Sequence, residues 1–288
     1  MTGTALALVI GAAVLHSIWN ALTKRAQDQL AFLWSSVSLA TLLLGPFALW
    51  PLRNQGLPPG AAPFVVATIF LHAFYFFALG RAYRWGEFSL VYPIARGLGV
   101  VLVPLLALPL LDERLSPLGT AGVVLVVLGI IALHLTPGVV SAVASPSRSV
   151  GAGTGWALLT GLTIAAYSLV DKAGVARLHP LPYITLLGLG SSLVLLPAVL
   201  VQRDALRREW AMNWRAILVA SAMNLTAYLL VLFAFRLSKT GYVVAARELS
   251  IVFSAIIGSL WLGEGRLGPR LLGAAVILAG VACVALAR

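Results

Sequence analysis

The residues best able to do chemistry are a few polar side chains set singly within long apolar runs: Arg96, the adjacent Arg247 and Glu248, and the histidines His16 and His72. An ionisable group at hydrocarbon depth costs about 3 kcal/mol or more, so it turns toward protein interior or water and marks a solute or ion path. Two such cations against one clearly intramembrane carboxylate suit an anionic or zwitterionic solute. The competing reading makes each arginine structural, tied to backbone carbonyls or a helix end. Helical spacing supplies companions. His16 and Asn20 are four apart and share a face, as do Tyr92 with Arg96, Tyr167 with Asp171, and Asn224 with Tyr228, while His72 and Tyr75 are three apart. His16 and Asn20 serve equally well as hydrogen-bonded glue between helices. Glu248 points about 100° away from Arg247 around a helix, so it is either paired across helices or a proton-binding carboxyl. Asp171, beside Lys172 at the end of an apolar run, reads as a solvated helix-end residue; Glu113 and Glu264 read as caps of the helices that follow them. His134 and His179 fall near helix ends and read as interfacial, as do most tryptophans.

The elements that must hold these groups are membrane helices. Of 288 residues 60% are hydrophobic and only 29 are charged, and a soluble domain cannot hide that much apolar surface. The net charge of +11 is spread singly, without the clustered cations that hold a phosphate backbone, so nucleic acid is not an expected partner. One cysteine, Cys283, excludes a disulfide framework and a cysteine-based metal site. A bilayer core of about 30 Å needs about 20 apolar residues per helix. Ten stretches qualify: Thr4–Thr23, Leu30–Trp50, Ala61–Tyr83, Phe88–Leu111, Pro117–Thr136, Gly153–Asp171, Leu181–Val201, Trp214–Leu237, Thr240–Leu262 and Pro269–Ala287. The first of these has no basic leader and reads as a retained span. Connections are short, the longest being the Pro/Ser/Gly-rich segment 137–152. An even count puts both termini on one side. Lys and Arg number 11 on the side of the first loop and seven on the other, which by the positive-inside rule favours termini outside.

A shift of 151 residues overlays the chain on itself: Arg96 falls on Arg247, Glu113 on Glu264, Gly122 on Gly273, Gly129 on Gly280, Ser17 on Ser168 and His16 on Tyr167. Five helices per copy is odd, so the copies enter the bilayer in opposite senses, as in alternating-access transporters with a midplane site. At 1.5 Å per residue, Arg96 and His16 lie level about 12 Å from one face, and Arg247 and Tyr167 about 10 Å from the other. The fifth and tenth helices carry mainly glycines, which suits close packing more than solute contact.

The segments LLDERLSPLGTAGVVLVVLG (residues 110–129) and WLGEGRLGPRLLGAAVILAG (residues 261–280) carry an acidic residue at a turn, a short basic and leucine-rich stretch, then a glycine-spaced helix. In this the whole chain resembles two halves of an EamA-type permease of the drug/metabolite transporter superfamily. The resemblance implies an all-α integral membrane fold of ten helices in two inverted repeats, both termini cytoplasmic, with the fifth and tenth helices peripheral to a central cavity. It sets the termini inside, against the charge count. Pro93 in the fourth helix meets Val244 in the ninth, which departs from a symmetric pair of proline hinges.

The expected organisation is therefore a first repeat at 1–136, a linker at 137–150 and a second repeat at 151–288. The expected function is secondary transport of a small organic solute across a bacterial-type inner membrane. Its contacts are sought among His16, Asn20, His72, Tyr75, Tyr92, Arg96, Tyr167, Asn224, Tyr228, Arg247 and Glu248. Export of organic cations or lipophilic amines through Glu248, Asp171 and aromatic walls is the alternative. A membrane acyltransferase using His16 or His72 as base is a further one, as is a channel. No cofactor or metal is expected, and the sequence holds no Walker A, His-Glu-x-x-His or Gly-x-Ser-x-Gly pattern. Proton coupling through Glu248 or a histidine, and a monomer or homodimer, complete the expectations.

Overall fold

The computed structural model describes residues 1–85, 88–134, 148–260 and 268–287, and for a few of these, Tyr92 and His134 among them, the backbone only. Glu264 lies outside the described residues. The described chain is all-α: α1 (Gly3–Arg25), α2 (Gln29–Ala48), the short α3 (Trp50–Gln55), α4 (Ala62–Trp85), α5 (Phe88–Leu111), α6 (Pro117–His134), α7 (Arg148–Val175), α8 (Pro180–Leu200), α9 (Arg203–Leu237), α10 (Thr240–Arg247), α11 (Leu249–Leu260) and α12 (Gly268–Leu286). Seven of them, α1, α2, α4, α5, α7, α8 and α9, are long and apolar enough to cross a membrane, and α6 and α12 hold shorter apolar helices. This is a multi-pass membrane protein. Its outward side chains, among them Leu42, Phe47, Leu105, Leu193 and Leu272, are exposed hydrophobics, a surface suited to lipid.

Helix ends follow local chemistry. Thr2 caps α1 by accepting from Ala5 N (3.2 Å), and Asp28 caps α2 by accepting from Ala31 N (2.8 Å). His179, expected at an interface, caps α8 through Nδ1 on Leu181 N (3.3 Å). Two interruptions were not foreseen. The stretch expected as one span over 240–262 is divided at Glu248, whose N–H turns back to the carbonyls of Ala245 and Ala246. α9 begins eleven residues before the expected Trp214, and Asn213 (φ −121°, ψ 17°) kinks it there. The added segment is pinned by polar bonds that hydropathy does not register. Glu209, buried, accepts from Asp28 N (2.7 Å) and Asn213 Nδ2 (2.8 Å), and Trp210 Nε1 donates to Ser35 Oγ (3.0 Å).

Packing runs mostly between distant parts of the chain. α1 lies on α9, α10 and α11; α7 on α4 and α5; α2 on α8 and α9; α8 on α4 and α2; and α6 on α12. The α6–α12 seam is the tightest. A Cβ at Gly122 would stand 2.7 Å from the Gly280 carbonyl, and one at Gly280 the same distance from the Gly122 carbonyl, so only glycine lets these backbones meet. Met1 N donates to Ala287 O (2.5 Å), which places the start of α1 and the end of α12 on one face.

On that face Glu113 does not cap the helix that follows it. It reaches across to cap α10, accepting from Thr240 N (2.5 Å) and Thr240 Oγ1 (3.1 Å), and pairs with Lys172 at the end of α7 (3.4 Å). Lys172 Nζ also donates to Phe235 O and to Ser238 O (2.8 Å), while Lys239 Nζ donates to Arg114 O (2.6 Å). The turns of α5–α6 and α9–α10 are thereby latched to the end of α7.

Candidate functional site

Between α1, α2, α4, α7, α8, α9 and α10 the bundle encloses a cavity of about 70 Å³. Seven of the eleven residues expected at the site line it: His16, His72, Tyr75, Tyr167, Asn224, Tyr228 and Arg247. Aromatic rings form its wall. His72 lies 4.4 Å from the Tyr167 ring and 5.3 Å from the Tyr228 ring, centroid to centroid, and Tyr75 stands edge-on to Tyr167 at 5.5 Å. His16 packs edge-on to Trp19 at 4.9 Å, which brings that tryptophan, read from the sequence as an interface or packing residue, into the lining.

Arg96 and Arg247, which the 151-residue offset superposes in the sequence, differ in their partners. Arg96 is engaged by Glu248 in a two-pronged ion pair, Nε to Oε2 at 3.1 Å and Nη2 to Oε1 at 2.6 Å, and both side chains are buried. Arg247, only 4% exposed, has a single bond: Nη2 donates to the Tyr167 hydroxyl at 3.3 Å, while Nε and Nη1 have no hydrogen-bond partner. The expected level pairing of Arg247 with Tyr167 is present. The two neighbours have different tasks: Arg247 lines the cavity, and Glu248, at the junction of α10 and α11, turns to α5.

Other orphaned groups in the lining have the same character. Asn224 Nδ2 and Trp19 Nε1, both buried, also have no partner. Unmatched buried donors are costly, so N–H groups aimed into one space favour an occupant that presents acceptors. Asn20, expected beside His16, instead donates to the His16 carbonyl on its own helix (2.8 Å) and does not line the cavity; nor do Arg96 and Glu248. The side chain of Tyr92 lies outside the described residues.

Sequence reasoning misplaced Asp171. Far from solvated, it is fully buried at the cavity's edge, accepting from Thr68 Oγ1 (2.5 Å) and Tyr183 OH (2.8 Å) on Oδ1 and from Tyr228 OH on Oδ2. His72 Nε2 stands 3.9 Å from Oδ2. The neighbouring Lys172 suggested an aqueous helix end, yet it points away to Glu113. The four-residue step from Tyr167 was the signal that Asp171 turns inward.

Residues 151–286 match the EamA-like transporter family. No curated protein matches the chain. Among solved structures, a protein crystal structure with 15% identity covers 99% of this chain and 98% of its own, with a TM-score of 0.70, and so shares the fold.

Proposed function

We propose, from the premise that this chain belongs through residues 151–286 to the EamA-like transporter family, that it carries a small anionic or zwitterionic organic metabolite across the membrane by alternating access. The family is one of transporters rather than enzymes. The observation that carries the choice of solute is Arg247, a buried guanidinium with two unpartnered nitrogens facing the cavity. A carboxylate there would take one of them together with Nη2, which has a second hydrogen beyond the one given to Tyr167, and a guanidinium is shaped for such a two-point contact. Arg96 holds no comparable vacancy on its carboxylate-facing side, since Glu248 occupies it.

The architecture we infer is ten crossings in two inverted repeats at 1–136 and 151–288, joined by a linker at 137–150. Counting α10 and α11 as one broken crossing, α1, α2, α4, α5 and α6 form one set, and α7, α8, α9, α10–α11 and α12 the other. Exchanging the sets preserves the packing: α1 on α9 becomes α7 on α4, α1 on α10–α11 becomes α7 on α5, and α2–α8 and α6–α12 map onto themselves. Such exchange supports a pseudo-two-fold axis in the membrane plane, with the solute site where broken helix meets cavity. A bacterial inner membrane location with both termini cytoplasmic, coupling to protons, and action as a monomer or homodimer complete the reading.

Thermal-shift measurement of purified protein against small carboxylates, amino acids and organic amines tests it. Carboxylate-bearing ligands are expected to stabilise the protein by about 2.7 kcal/mol at a hundredfold excess over their Kd, and Arg247→Gln to abolish the gain. Stabilisation by amines alone, indifferent to Arg247→Gln, would assign the cavity to cations.

A further inference from the structure

The geometry points to His72 and Asp171 as a shared proton-binding site, distinct from the anion contact at Arg247; that the bound proton serves coupling rests on the transport reading above. Thr68 sets the imidazole tautomer of His72. His72 Nδ1 lies 3.1 Å from the Thr68 carbonyl, which can only accept, and 3.0 Å from Thr68 Oγ1, whose own proton goes to Asp171. Nδ1 therefore carries the ring proton, and Nε2 presents a lone pair. Opposite it, at 3.9 Å, is Asp171 Oδ2, also an acceptor. Two buried acceptors face each other with no proton between them; a proton on Nε2 sets an imidazolium against the carboxylate, and a small approach from 3.9 Å closes a charge-assisted hydrogen bond.

The surrounding elements leave this vacancy to a proton. From α4 come His72 and Thr68, from α8 Tyr183, and from α9 Tyr228. On α10, Arg247 is held one helical turn away at Tyr167. From α5, Arg96 is engaged with Glu248, and on α7 itself Lys172 is drawn to Glu113 and to the carbonyls of Phe235 and Ser238. Among the described residues, the group set to form an ion pair with Asp171 is thus His72. Arg96 and Glu248 cancel, while Arg247 and Asp171 balance only at a distance. An anion arriving at Arg247 leaves Asp171 uncompensated, and a proton from cavity water, delivered at the His72 edge that lines the cavity, restores neutrality. The step is balanced: the O–H bond of the delivering hydronium breaks, one N–H or O–H bond forms within the pair, and the charge of the site rises by one. The two groups then titrate as a unit.

Infrared difference spectroscopy of the unliganded, purified protein across a pH titration tests this without a solute. A titrating imidazole or carboxyl signal is expected in the wild type, lost in full in both Asp171→Asn and His72→Gln, and retained in Glu248→Gln. Tyr228→Phe keeps both partners and removes one donor from the carboxylate, so the midpoint is expected to move to higher pH, and this arm decides should the other variants fail to fold. A signal that survives Asp171→Asn, disappears in Glu248→Gln, or ignores Tyr228→Phe would overturn the assignment. The transport reading fails separately: absence of Arg247-dependent carboxylate binding would leave a proton site with no anion beside it.

Discussion

At the scale of single residues, the fate of a buried charge depends on which partner is removed. Glu248→Gln removes the carboxylate from the buried Arg96–Glu248 pair, and the loss of one member of such a pair costs about 3–5 kcal/mol. Arg96→Gln together with Glu248→Gln removes both charges and is expected to recover most of that loss, which thermal unfolding in detergent measures. A double variant no more stable than Glu248→Gln alone would mean that the pair is not the stabilising unit. Arg247→Gln is expected to behave differently. It removes a cation that has one weak bond, so stability changes little while carboxylate binding is lost. Residue spacing made part of this legible, since the offset of 151 and the four-residue steps singled out His16, Tyr167, Asn224, Tyr228 and Arg247 of the lining. It could not tell the two arginines apart, because the difference lies in Glu248 reaching a helix some 150 positions away in the chain.

Among the elements, α6 and α12 show how closely two helices approach when small residues line the seam. Gly122→Ala or Gly280→Ala would press a methyl group onto a carbonyl at 2.7 Å, and because backbone meets backbone there is no rotamer to absorb it. Overpacking of this kind costs about 1–3 kcal/mol, so each variant is expected to unfold at lower temperature while carboxylate affinity, read on the surviving folded protein, is unchanged. The glycine spacing announced this seam in the sequence. The division of α10 from α11 was not announced, since no proline or glycine stands at Glu248; the break follows from burial of an acid that must reach a cation on α5. Likewise the start of α9 escaped hydropathy because Arg203–Met212 is held by Glu209 and Trp210 rather than by lipid.

For the molecule as a whole, the face bearing both chain ends is closed by Glu113, Lys172, Lys239 and Thr240. Glu113→Gln weakens that closure at two points. In a background of Cys283→Ser with Val37→Cys in the cavity lining, it is expected to raise maleimide labelling applied from that face; unchanged labelling would show that closure is set elsewhere. The all-α, multi-pass character was legible because hydropathy is a property of long segments. The latch was not, because Glu113 serves Thr240, 127 positions along the chain, instead of the helix that follows it. The chamber also carries a consequence of its size. About 70 Å³ accommodates on the order of five water molecules, too little for a metabolite with a carboxylate and a body. On the transport reading proposed above, a solute of that size enters only molecules whose walls have drawn apart. Apparent affinity is then intrinsic affinity scaled by the fraction of such molecules, so a distant substitution that props the walls open would sharpen uptake of cargo without touching any atom that meets it.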